Sequence, residues 1–244
     1  MKYTIYSLMI SGAVIATAPS QAGIDTEIHT GFHSIYEFRG VDFGDNLFDA
    51  GVDISTKLGG GVTFTAGLWY ADTNGNGGGN FDELDYYFGL SKTFGKFELS
   101  AGYTYYAFPG DSSSNTNEVY LGLATELPCG TGVSLTYFED IDEIDGGYLE
   151  LEVSRGIEVN PCWKIDLSVG AAWSFNYNPD VDGTMLDGFN HWFVKVDMPW
   201  EIAEGVTLTP YLKYVAASGN LSNEFGAINS EDLFLGGVSL SYSF

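Results

Sequence analysis

The chain has 244 residues, with 33 acidic against 9 basic side chains and a formal net charge of −24 at pH 7. A protein this acidic is repelled by phosphate backbones, which argues against a nucleic-acid partner. Beyond residue 22 there is no run of about eighteen apolar residues, so the sequence predicts no transmembrane helix in the mature chain.

Residues 1–22 are predicted to be a secretory signal peptide. Lys2 supplies the positive end, residues 5–17 form a mostly apolar run, and Ser20, Gln21 and Ala22 precede the expected cleavage site. The mature domain would therefore comprise residues 23–244, in a compartment that oxidises thiols.

After residue 22, apolar and polar side chains alternate in short segments, which indicates β-strands with two unlike faces. Twelve strands are predicted, at residues 26–38, 47–58, 62–70, 81–93, 96–107, 117–126, 132–138, 147–155, 163–175, 191–198, 205–216 and 231–244. Ten or fourteen strands also fit, because 132–138 and 191–198 are short. Pro210 would leave a gap in the hydrogen-bond ladder of its strand.

The predicted connections alternate between tight turns and longer polar loops. The tight ones lie at 59–61, 94–95, 127–131, 156–162 and 199–204, and the longer ones at 72–80, 108–116, 176–190 and 218–230. This rhythm is typical of an up-and-down membrane barrel with short periplasmic turns and longer outer loops. A soluble β-sandwich of similar length is the alternative.

The last predicted strand ends on Phe244, with Leu240 and Tyr242 on one face and Ser241 and Ser243 on the other. An open aromatic edge strand invites pairing with other chains, so we expect this strand to pair with the first one and close a barrel. The ending resembles the terminal strand that the assembly machinery of bacterial outer membranes recognises. The sequence thus predicts an all-β, transmembrane antiparallel barrel in the outer membrane of a Gram-negative-type bacterium, in contact with its lipid.

The polar sides of the strands predict a water-facing interior rich in carboxylates. The predicted pore-lining residues are Arg39, Asp49, Asp53, Asp85, Glu98, Glu150, Glu152, Asp166, Lys195, Asp197 and Lys213. A narrow passage with such a wall would pass cations or small hydrophilic neutral solutes rather than anions. Alternatively, the acids pair with the few inward bases and fill the lumen.

Residues 36–42 read Tyr-Glu-Phe-Arg-Gly-Val-Asp, and Gly51, Val52 and Asp53 follow shortly after. This start resembles that of the TorF-type porins, in which a first strand ends in an aromatic-Arg-Gly turn and a second strand carries Gly-x-Asp. The likeness covers about the first thirty mature residues and implies a porin-like barrel without naming a substrate. Arg39 would point inward near the outer mouth, where it either clamps the first loop or binds solute.

Two further patterns concern a metal and a disulfide. Asp72, Asn74, Asn76 and Glu83 have the spacing of a Ca²⁺ loop, although strands flank it rather than helices, and a solvated Gly/Asn turn is the alternative. Cys129 and Cys162 fall in two tight turns of an oxidising compartment, so a disulfide between them is predicted.

An enzyme is not predicted, because nothing marks one serine as a nucleophile. His29 and His33 share one face of the first strand at a spacing too long for one metal ion. His191, beside Trp192, would belong to the interfacial belt or, as a weaker alternative, to a lipid hydrolase. A third class is a non-conducting barrel whose acidic outer loops, such as 139–145, bind a partner or the cations that bridge lipopolysaccharide.

Overall fold

The computed structural model describes residues 23–75, 80–179, 184–217 and 232–244. Its strands are β1 (Ile24–Phe38), β2 (Val41–Lys57), β3 (Val62–Gly75), β4 (Asn80–Phe94), β5 (Phe97–Ala107), β6 (Thr116–Glu126), β7 (Thr131–Asp140), β8 (Gly147–Asn160), β9 (Trp163–Pro179), β10 (Met185–Asp197), β11 (Trp200–Ala203), β12 (Val206–Ala217) and β13 (Leu233–Ser243). Two 3₁₀ turns lie at Gly59–Gly61 and Ser112–Ser114. The predicted signal peptide lies outside the described residues.

The strands form one antiparallel sheet that closes on itself. β13 pairs with β12 on one side and with β1 on the other, from Glu27 opposite Ser243 to His33 opposite Gly237. Thr26 and Phe244 add two backbone hydrogen bonds of 3.0 and 2.9 Å at the end of this pairing. The predicted closure by the last strand is confirmed, and it leaves neither terminal strand with a free edge.

β10 and β11 share one position in the wall, because both lie between β9 and β12 and are separated only by Met198 and Pro199. The barrel therefore has twelve strand positions, as predicted. The predicted turn at 199–204 is too long, because β11 continues the strand and the turn is Glu204 and Gly205.

Pro210 pairs with Val238 inside β12, and its carbonyl oxygen accepts from the Met198 N–H at 2.9 Å. The N–H and C=O of a residue in an antiparallel ladder point to the same neighbour, so the missing donor of Pro210 faces the break between β10 and β11. The gap that the sequence predicted is thus placed where the neighbouring strand is already interrupted.

Most connections follow the predicted alternation. One end of the barrel, the turn end, carries the connections at 58–61, 95–96, 127–130, 161–162 and 204–205, whereas the loop end carries longer ones such as 108–115 and 141–146. The first hairpin differs from its prediction, because β2 begins at Val41 rather than at residue 47. Only Arg39 and Gly40, at φ 53° and 83°, separate β1 from β2. Two consecutive residues of positive φ are typical of a type I′ hairpin turn.

The two surfaces of the wall differ in polarity. Large apolar side chains are exposed on the outside, for example Leu121 at 62% and Val169 at 52%. Carboxylates are buried on the inside, for example Asp53 at 6% and Asp85 at 2%. No helix in the described part of the chain is long and apolar enough to cross a membrane.

Candidate functional site

The barrel interior is crossed by the end of the first hairpin, residues 37–43, which we call the tip hairpin. The carbonyl oxygen of Arg39 accepts hydrogen bonds from the side-chain amides of Asn178 at 3.1 Å and Asn190 at 2.9 Å. These residues belong to β9 and β10, whereas the sheet neighbours of β1 and β2 are β13 and β3. The tip hairpin therefore leaves the line of its own strands and contacts the far wall.

The Arg39 side chain ends in a closed site that we call the arginine cage, formed by Glu118, Phe138, Tyr148 and Tyr177. The two terminal nitrogens of Arg39 donate to the two carboxylate oxygens of Glu118 at 2.5 and 2.8 Å. The guanidinium carbon lies 4.3, 4.7 and 4.6 Å from the three ring centroids. The exposed fractions of the Arg39 and Glu118 side chains are 6% and 2%, so this pair is removed from water.

Two further contacts hold the tip hairpin. Glu37 accepts from the Gly40 N–H at 2.8 Å and from the Lys213 ammonium at 2.5 Å, which ties the turn to β12. Gly40 lies so close to His191 that an added Cβ would stand 2.7 Å from its Nδ1 atom. His191 is 1% exposed, while its neighbour Trp192 is 41% exposed on the outer face. The placement of His191 in an interfacial belt was therefore wrong.

A row of polar side chains runs along β1 and β2 toward the turn end. His33 contacts Tyr211 at 2.9 Å and Asp49 at 2.5 Å. His29 lies 3.8 Å from the second oxygen of Asp49 and 3.2 Å from Asp53. Asp49 thus joins the two histidines in spite of their spacing along the strand. In the part of the chain that the structure describes, no group of three His, Cys, Asp or Glu side chains is arranged to hold a metal ion.

The residues of the predicted Ca²⁺ loop are not brought together in the described structure. Glu83 is buried, lies opposite Ala71 and accepts from the Tyr36 hydroxyl at 2.6 Å. Asp72 is opposite Asp82, one residue out of phase with Glu83, so it points to the other face of the sheet. Asn76 lies outside the described residues, and the Ca²⁺ site stays a prediction.

The remaining predicted lining residues occupy the same inner face. Lys195 and Asp197 form an ion pair at 2.9 Å, and Asp166 lies opposite Asp197. Glu150 and Glu152 on β8 lie opposite Ala172 and Gly170, and Glu98 on β5 lies opposite Ala124. Their role in conduction stays a prediction. Sequence reasoning missed Glu118 and Glu37, the partners of Arg39 and Lys213.

The predicted disulfide is absent: Cys129 and Cys162 are both free and exposed. Thr131 at the start of β7 lies opposite Arg155, whereas β8 continues to Asn160 before its turn. The β8–β9 hairpin therefore extends past the β6–β7 hairpin by five residues (156–160). At about 3.3 Å per residue this is roughly 16 Å, far beyond the roughly 6 Å between the Cα atoms of a disulfide.

Similar barrels occur among solved structures. An outer membrane channel from Pseudomonas putida F1 is 14% identical, with a TM-score of 0.62 over 96% of this chain and 100% of that chain. The NanC porin is 10% identical, with a TM-score of 0.54 over 89% of this chain and 98% of the other. The KdgM porin in complex with disordered oligogalacturonate is 12% identical, with a TM-score of 0.52 and coverages of 90% and 99%.

At these identities the likeness shows a porin-like barrel fold. No family model matches the sequence, and no curated protein matches it. The resemblance to the TorF-type porins is therefore not confirmed beyond the barrel itself.

Proposed function

We propose that the protein is an outer-membrane channel for passive diffusion of small hydrophilic solutes, with a preference for cations. The observation that supports this proposal is the charge balance of the interior. Arg39, Lys195 and Lys213 are each paired with one carboxylate, those of Glu118, Asp197 and Glu37. Other inner carboxylates, such as those of Glu98 and Glu152, form no ion pair with a lysine, arginine or histidine among the described residues. Cations would be concentrated in such a wall and anions repelled.

The barrel fold alone does not set the sign of the solute. A similar barrel, the KdgM porin, is described in complex with oligogalacturonate, a polyanion. The unpaired carboxylates of this chain would repel such a ligand. We therefore propose that this chain uses a porin-like barrel for solutes of the opposite charge.

The tip hairpin makes the resting channel a closed or narrow one. Its contacts with Glu118, Asn178, Asn190 and Lys213 cross the interior, and we infer that solute passes freely when the tip hairpin is displaced. The displacement of a turn by breaking polar contacts belongs to the hinge and order–disorder motions that gate many proteins. We place the loop end outside the cell and the turn end in the periplasm, with β13 presented to the assembly machinery and the apolar outer wall in lipid.

Conductance in planar bilayers tests the proposal. The purified barrel is reconstituted with a tenfold KCl gradient, and we expect a reversal potential of the sign given by K⁺ permeation. The double variant Glu98→Gln with Glu152→Gln removes two inner charges that have no ion-pair partner and should move the reversal potential toward zero. A wild-type reversal potential of the sign for Cl⁻ would refute the cation preference.

The second candidate function is a non-conducting barrel that binds a partner or cations through its acidic outer loops. The buried tip hairpin favours this candidate, because a barrel whose lumen is filled does not conduct solutes. Absence of conductance both in the wild type and in a variant that releases the tip hairpin would decide for this candidate.

A further inference from the structure

The arginine cage has the composition of a ligand site. Its four members lie on four consecutive wall strands: Glu118 on β6, Phe138 on β7, Tyr148 on β8 and Tyr177 on β9. Only Arg39 and a fourth nearby ring, Phe38 at 4.7 Å, come from the first hairpin. The wall thus supplies a complete site, and the tip hairpin supplies its occupant.

The cage is held by contacts that do not involve Arg39. The Tyr106 hydroxyl donates to Glu118 at 3.1 Å. The ring of Tyr148 lies 6.3 Å from that of Phe138 and 5.6 Å from that of Tyr177, at tilted angles. These contacts do not depend on the guanidinium, which favours a site that is preorganised for a ligand.

The chemistry of the cage selects a planar cation. Two parallel N–H···O bonds to one carboxylate match the fork of a guanidinium, and three ring faces attract its delocalised charge. An ammonium is a compact, strongly hydrated point charge that cannot make the bidentate contact. We propose that the cage is a binding site for the guanidinium group of a cationic solute, and that Arg39 occupies it as a built-in competitor until such a solute displaces the tip hairpin.

This inference rests on the proposed function, because the solute reaches the cage through the lumen. On this inference, the binding of a guanidinium group to the cage is what displaces the tip hairpin. A tethered side chain competes at an effective concentration on the order of millimolar, so a free guanidinium compound must reach comparable levels or make further contacts to replace it. The carboxylates of the inner wall would raise its local concentration.

Titration calorimetry on the folded barrel in detergent tests the site. The Arg39→Ala variant should bind methylguanidinium at least about tenfold more tightly than methylammonium, because only the former restores the bidentate pair. Adding Glu118→Gln to this variant should weaken methylguanidinium binding at least about tenfold. The wild type should bind it more weakly than Arg39→Ala, because its cage is filled. Should Arg39→Ala fail to fold, Arg39→Asn replaces it, since asparagine tolerates the positive φ of 53° and its short side chain leaves the place of the guanidinium empty.

Equal affinities for the two cations, or no binding of methylguanidinium to the Arg39 variant, would overturn the proposal. Conductance of the same preparations separates this failure from that of the proposed function. A barrel that binds methylguanidinium but never conducts refutes the channel and leaves the cage. A conducting barrel that does not distinguish the two cations refutes the cage and leaves the channel.

Discussion

Replacing Glu118 by Gln removes the charge that neutralises Arg39 and keeps the shape of the side chain. Removal of one partner from a buried ion pair costs roughly 3–5 kcal/mol, because the remaining charge stays out of water. The full value applies here, since the two side chains are only 6% and 2% exposed. The tip hairpin can avoid this cost by leaving the cage, so the substitution should shift its equilibrium toward the displaced state. A cost of 3 kcal/mol corresponds to a shift of roughly 150-fold.

Single-channel recording measures this shift as the fraction of time that the barrel is open. Glu118→Gln should raise that fraction strongly, and Glu126→Gln provides the matched control, because it is the same change on the same strand at the turn end, away from the cage. An open fraction equal to that of the wild type, with a barrel that melts at the same temperature, would refute the ion pair as the lock.

Two more predictions concern the tip turn and the free thiols. Gly40→Ala should favour the displaced tip hairpin by roughly 1–3 kcal/mol, because alanine is strained at φ 83° and its Cβ would approach His191 Nδ1 to 2.7 Å. The control Gly59→Ala, where nothing lies within 4 Å, should leave the open fraction unchanged. Equal effects of the two substitutions on the open fraction would count against the turn geometry. The hydrogen bond with the Thr131 hydroxyl lowers the pKa of the Cys129 thiol, so more thiolate is present at pH 7.5. Iodoacetamide should therefore modify Cys129 more slowly in the Thr131→Val variant, as measured by peptide mass spectrometry. Both cysteines should be modified without reductant, and a need for reductant would restore the disulfide.

The barrel could be predicted from the sequence because strand faces follow parity. Leu68 and Tyr70 are exposed at 42% and 38%, while Trp69 between them is 4% exposed, as alternation requires. The pairing of the last strand could also be predicted, because an amphipathic strand that ends on Phe244 has an open edge that needs a partner strand. These features are local, and a local pattern is enough to specify them.

The site could be predicted only in part. Parity placed Arg39 inside, and a clamp was one of its two interpretations, but nothing in the pattern indicated that its partner lies 79 residues further along. Glu118 lies in the predicted strand 117–126 but was not among the predicted lining residues, and which wall the tip hairpin meets depends on the bend of the hairpin. The disulfide prediction failed for a related reason, since the stagger between neighbouring hairpins is a property of the register of β7 with β8.

The arginine cage also has a consequence for biogenesis. The contacts of Arg39 join segments 79 to 151 residues apart, whereas each hairpin joins residues close in sequence. Contacts between distant segments form late, because they require the intervening chain to be ordered first. We therefore expect the hairpins from β1 to β6 to form before Arg39 contacts Glu118, so that a newly inserted barrel passes through a stage in which the tip hairpin is not yet held in the cage.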